Sequence, residues 1–104
     1  MHTVPLKLVT IIAEPVLEPR ITLELRALGA TGFTVVDGRG EGSRGLRAAE
    51  IPGLNVRIDS IVAPDVADRI IEYIAIHYFA TYAVIAYVSD VSVVRGDKYL
   101  IPHP

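Results

Sequence analysis

Apolar side chains fill the run from Leu6 to Ile12, interrupted only by Lys7 and Thr10. A run of this kind predicts a strand buried on both faces and central in its sheet. The period then changes. Leu17, Ile21, Leu25 and Leu28 fall on one helical stripe, preceded by Glu14-Pro15. Pro15 suits a first helical position, Glu14 and Glu18 suit the positive end of the helix dipole, and Gly29 supplies the stop. A helix over about residues 15–28 follows. Gly32 to Asp37 reads as a second strand. Beyond a glycine-rich stretch, Val56, Ile58, Ser60 and Val62 alternate with Asn55, Arg57, Asp59 and Ile61, which predicts a half-buried third strand. Pro64 and Asp65 open a second helix carrying Val66, Ile70, Ile74 and Tyr78, ending at about residue 79 before Thr81 and Tyr82. Ala83 to Val94 is a long β-branched strand, apolar on both faces.

The element order is β-α-β-β-α-β within a single domain spanning residues 1–104. This order predicts an α+β fold on the ferredoxin-like plan, a four-stranded antiparallel sheet with both helices on one face. The first and fourth strands are apolar on both sides, so the second sheet face needs a cover of its own. A closed trimer supplies one, and so does a barrel-like dimer built on the same plan.

Composition supports the need for partners. Of the 104 residues 51% are hydrophobic and 21% charged, an apolar load too large for so short a chain to hide alone. The net charge of −2, seven aromatic residues and absent tryptophan give neither a basic field nor a stacking platform, so no nucleic-acid partner is expected. Without cysteine there is no disulfide and no thiolate metal site. Charge or proline interrupts every apolar stretch short of a membrane span, and the N-terminus has no basic leader, so a cytoplasmic location is expected.

The chemistry concentrates between the second and third strands. Residues 38–53 begin Gly38-Arg39-Gly40-Glu41-Gly42-Ser43-Arg44-Gly45-Leu46-Arg47. Glycines let backbone N–H groups approach an anion closely, and Arg44, Arg47 and Ser43 add charge-assisted donors for phosphate. The competing reading is a solvated hairpin loop. A Walker loop is excluded because no Gly-Lys-Ser/Thr follows, and a dinucleotide fingerprint because the next element is a strand. His2, His77 and His103 are too scattered for a metal site. No catalytic pairing of serine with histidine, or of two carboxylates, is evident, so the chain does not read as an enzyme.

Gly32-Phe33-Thr34-Val35, Gly40-Glu41-Gly42-Ser43-Arg44 and Tyr78-Phe79-Ala80-Thr81-Tyr82-Ala83 resemble segments of the PII-like carbon-regulatory proteins, the SbtB-type and carboxysome-associated members of the PII superfamily. The resemblance runs from about Leu6 to Val94. It implies a homotrimer that binds adenine nucleotides (ADP or AMP, alternatively cyclic AMP or ATP) and bicarbonate in clefts between subunits, with no prosthetic group and no metal. It further implies a T-loop at about 38–53 that orders with ligand and regulates inorganic-carbon uptake or fixation, through a bicarbonate transporter or a carboxysome-associated protein. Carried over by position, Gly42, Ser43, Arg44 and Arg47 match the phosphate-facing loop, and Gly38 and Gly40 before them are expected among the nucleotide-binding residues. Thr34, Val35 and Val36 line the adenine side, and Ala83 and Val84 come from a neighbouring subunit. The T-loop segment holds no tyrosine, and no Thr-Gly-Lys segment precedes the fourth strand, which argues against nitrogen sensing through 2-oxoglutarate. A CutA-like trimer of metal-tolerance or unassigned role is the alternative.

Overall fold

In the computed structural model, which describes residues 2–40 and 53–99, four strands and two helices follow the predicted order. Strand β1 covers Thr3–Ala13, β2 Thr34–Arg39, β3 Leu54–Val62 and β4 Ile85–Val94, while α1 covers Glu18–Ala27 and α2 Pro64–Tyr78. The sheet is antiparallel with spatial order β2-β3-β1-β4. This is the ferredoxin-like arrangement.

Both helices pack on one face. Val9, Ile11 and Ala13 of β1 and Val56, Ile58 and Val62 of β3 meet Leu17, Ile21, Leu25, Ala67, Ile70, Ile74 and Tyr78 in one core. The predicted stripes are therefore the packed stripes, except that Val66 and Leu28 lie only partly buried at the margin. No helix among the described residues is long and apolar enough to cross a membrane.

Several boundaries differ from the sequence reading, each for a local reason. The first helix starts as a 3-10 turn at Pro15–Leu17 and becomes α-helical only from Glu18, with Pro19 inside its first turn. There the missing proline N–H leaves no helical bond unmade. Gly29, at φ +115°, ends the helix as expected. Strand β2 starts later, at Thr34, and runs on through Gly38 and Arg39, which pair with Asn55 and Leu54. Gly38 thus belongs to the sheet. Strand β4 begins at Ile85, so Ala83 and Val84 sit in the connection from α2. Beyond it, Gly96–Tyr99 forms a 3-10 turn that the sequence pattern did not announce.

The sheet face opposite the helices is mostly open. Val4 and Leu6 are buried, with Gly96 of the 3-10 turn against both, whereas Leu8 and Ile12 are only half-buried. On the same face Val36, Ile85 and Tyr87 are 51%, 52% and 41% exposed. Strand β1 is central, but β4 is an edge strand with no buried residue in the single chain.

Candidate functional site

Pairing registers place the site's parts. Across the sheet, Val36 opposes Arg57, Arg57 opposes Ile12, and Ile12 opposes Ile85. The mouth of the 38–53 segment and the start of β4 therefore lie at the same end of the sheet. They lie on opposite edges, separated by three strand spacings, about 14 Å at ~4.8 Å each. A single chain does not bring them together.

At the loop mouth, the Gly40 N–H donates to the Gly53 carbonyl at 2.9 Å and closes the base. Gly53 adopts φ +81°, a left-handed backbone that glycine takes without strain. The Asn55 side chain lies over Gly38 and Gly40. A Cβ at Gly38 would stand 2.7 Å from Asn55 Oδ1, and one at Gly40 3.2 Å from Asn55 Nδ2. Period-two geometry separates the three predicted adenine-side residues. Thr34 and Val36 share the open face with Arg57 and Asp59, while Val35 packs against the core. Gly42, Ser43, Arg44 and Arg47 lie outside the described residues.

Next to Thr34 on the open face is a polar cluster. Asp59 accepts from Thr10 Oγ1 at 2.7 Å and from Arg57 Nε at 3.1 Å. Thr10 is fully buried and satisfied by that bond. The sequence carries a signal for this cluster in the polar phase of β3, Asn55-x-Arg57-x-Asp59, but nothing local points to Thr10 as its partner.

At the other edge, the connection of residues 79–84 leaves α2 through a tight turn. Thr81 and Tyr82 both donate their N–H groups to the Tyr78 carbonyl, at 3.2 and 2.9 Å. Tyr82 and Val84 pack partly against the core. Here α1 and α2 share a polar network. The Glu24 carboxylate accepts from the Tyr73 hydroxyl at 2.6 Å and from the Tyr78 hydroxyl. Arg20 lies 4.8 Å over the Tyr78 ring, 3.7 Å from Glu24, and hydrogen-bonds the Tyr82 side chain. Burial, reinforced by the bond to Glu24 and its charge, holds the Tyr78 proton well above the ordinary phenol range. The Tyr73 hydroxyl shifts the same way, chiefly through its bond to Glu24. His77 rests against the Tyr73 ring, with centroids 4.1 Å apart. Among the described residues no three His, Cys, Asp or Glu side chains gather as a metal site would require.

Known proteins share this architecture. The family model described as nitrogen regulatory protein P-II matches residues 6–98. The crystal structure of a PII-like signalling protein from Thermus thermophilus is 54% identical, with 95% of this chain and 99% of that chain covered and a TM-score of 0.82. A structure of CPII from Thiomonas intermedia bound to ADP and bicarbonate is 25% identical, covering 94% of this chain and 97% of that one, at a TM-score of 0.81. A second structure of CPII, bound to ADP, AMP and bicarbonate, is also 25% identical, covering 90% of this chain and all of that one, at a TM-score of 0.78. With the family match running across all four strands and both helices, the chain belongs to the nitrogen regulatory protein P-II family.

Proposed function

We propose that this PII-like signalling protein is a homotrimeric sensor that binds an adenine nucleotide together with bicarbonate and acts by binding, without catalysis. The nucleotide is ADP or AMP, with cyclic AMP and ATP as alternatives. The observation that carries this reading is the placement of the loop mouth and the 79–84 connection at one end of the sheet but on opposite edges. Such a layout suits a ligand held between neighbouring copies. The open face, with apolar Val36, Ile85 and Tyr87 uncovered beside its polar cluster, gives those copies a surface to bury. The CPII structures, with ADP and bicarbonate bound on the same fold, supply the ligand classes.

In this reading Thr34 and Val36 border the adenine on one subunit, and Ala83 and Val84 approach from the next. The phosphates meet the backbone of Gly42 and the side chains of Ser43, Arg44 and Arg47. The Gly40 N–H is already given to the Gly53 carbonyl and Gly38 pairs with Asn55 in the sheet, so these two glycines shape the mouth instead. Arginine is apt because its planar fork pairs two oxygens at once. Bicarbonate, a small planar anion, uses donors that the phosphates leave free. Ligand binding changes the 38–53 segment, and that change regulates inorganic-carbon uptake or fixation through a bicarbonate transporter or a carboxysome-associated protein. The cytoplasm is the compartment this role requires.

Calorimetry with AMP, ADP, ATP and cyclic AMP, each with and without bicarbonate, tests the proposal alongside light scattering. The expected particle is about 34 kDa, three chains of 11.3 kDa. Arg44→Ala or Arg47→Ala weakens nucleotide binding by about ten- to a hundredfold, as expected for losing a charge-assisted hydrogen bond. A stable monomer, or no nucleotide binding by the unaltered protein, removes this function. Unchanged affinity in both variants removes the assignment of the phosphate to the loop arginines.

A further inference from the structure

The network linking α1 to α2 has no role in the ligand contacts described above, yet its placement is specific. It gathers where α2 ends and the chain turns toward Ala83 and Val84. Tyr78 is gripped there at both ends. Its hydroxyl is tied to Glu24, which also takes the Tyr73 hydroxyl, and its ring lies under Arg20. The Tyr78 carbonyl then receives the amide protons of Thr81 and Tyr82. The Tyr82 ring stands 5.6 Å from the Tyr78 ring, and its side chain is bonded to Arg20. One carboxylate and one guanidinium, a single turn apart on α1, thus set the path of a connection that belongs to the other edge of the sheet.

We propose that Arg20 and Glu24 on α1, acting through Tyr78 and Tyr82, are positioning residues for the 79–84 connection and hence for the part of the ligand site that Ala83 and Val84 contribute. This inference rests on the functional reading above. Arg20 does not need to touch the ligand. It holds the connection in the shape the ligand meets, so that less ordering remains to be done on binding. The arrangement differs from simple helix glue. Arg20 is half-exposed, so its removal leaves the apolar core intact, and among the described residues no buried side-chain polar atom lacks a partner.

The test compares Arg20→Ala, Arg20→Lys and Tyr78→Phe with the unaltered protein, using hydrogen exchange and ADP calorimetry. In Arg20→Ala the amides of residues 81–85 exchange about five- to tenfold faster, the loss expected for one cation–π contact and one hydrogen bond. ADP binding weakens by a similar factor, and amides in the middle of α2 keep their protection. Arg20→Lys falls between, because a cation remains over the ring while the planar fork is lost. Tyr78→Phe loosens the same amides by freeing Glu24. Unchanged exchange at 81–85 overturns the proposal. So does faster exchange across both helices with unaltered ADP affinity, the signature of a merely structural role. If the unaltered protein binds no ADP, the functional reading falls, and exchange at 81–85 alone decides whether Arg20 holds the connection.

Discussion

Gly96→Ala isolates what the C-terminal 3-10 turn contributes to the sheet. A Cβ placed on Gly96 stands 2.8 Å from Val4 Cβ, 3.2 Å from Leu6 Cδ1 and 3.3 Å from Val93 Cβ. The Leu6 methyl can swing away. The other two atoms cannot, because Val4 and Val93 are cross-strand partners whose Cβ positions are fixed by the β1–β4 ladder. Carbon atoms prefer about 3.5–4.0 Å, so the turn must lift by several tenths of an ångström. Overpacking of this kind costs typically 1–3 kcal/mol. Lifting also loosens the contact over Val4 and Leu6, now 7% and 2% exposed, each worth at most about 1.5–3 kcal/mol if it were wholly uncovered. A net loss of about 2 kcal/mol is expected, or roughly 8–16 °C in melting temperature for a domain of this size. The assay is thermal unfolding by circular dichroism at one fixed protein concentration, since assembly makes the midpoint depend on concentration. Gly32→Ala is the control, because nothing lies within 4 Å of its Cβ and its backbone is not left-handed. It should be neutral or slightly stabilising. A Gly96→Ala midpoint within about 2 °C of that control would refute the packing argument.

Arg95 is the single non-glycine residue with positive φ among the described residues, at 64°. Arg95→Gly relieves left-handed strain and should raise the urea midpoint by the equivalent of about 1 kcal/mol with an unchanged slope; a lower midpoint would mean that its side chain matters more. At alkaline pH the unfolded chain loses the Tyr78 proton near its ordinary value of 10.0, while the folded chain keeps it. The Tyr78 contribution is therefore complete below pH 10 and declines above it, by about 1.4 kcal/mol per pH unit. Denaturant titrations between pH 9 and about 12 should show that slope, and Tyr78→Phe should flatten it; an equal slope in the variant would count against Glu24 and burial as the cause.

The elements that local patterning could reveal were legible. The apolar run of β1 marked a central strand, the alternation of β3 marked a strand, and the two helical stripes marked the core. What stayed hidden depends on residues far apart in the chain. Gly38 read as loop because glycine-rich segments usually are, whereas it pairs with Asn55 and gives that side chain its room. Ala83 and Val84 read as strand on β propensity, but the tight turn on the Tyr78 carbonyl keeps them in the connection and delays β4 to Ile85. The Gly96–Tyr99 turn has no periodicity of its own and is defined by contact with Val4 and Leu6. Nothing in the local sequence singles out Glu24, because its partners lie 49 and 54 positions away. The loop arginines stood out by composition, and they fall outside the described residues.

The layout of the proposed site bears on how the open face is covered. In a two-fold dimer the contact is isologous, so a residue i that meets residue j of the partner is matched by j meeting i. Such a dimer completes the site only if the β2 edge of each copy meets the β4 edge of the other. If each edge meets its own copy, the two halves stay about 14 Å apart across each sheet, three strand spacings as before. A head-to-tail contact unites the same two edges. It sets the β4 edge of one copy against the β2 edge of the next, so that each junction unites one loop mouth with one connection. Repeated through a rotation that closes, it also turns the exposed Val36, Ile85 and Tyr87 toward a shared interior. A ring of three is the smallest closed assembly of this kind, and it contains as many complete sites as chains. The proposed ligand then binds only where two copies meet, so it favours the assembled over the dissociated chain by mass action. Nucleotide binding and burial of the apolar sheet face become coupled through the same contact, and the connection held by Arg20 and Glu24 lies on the edge where that coupling is made.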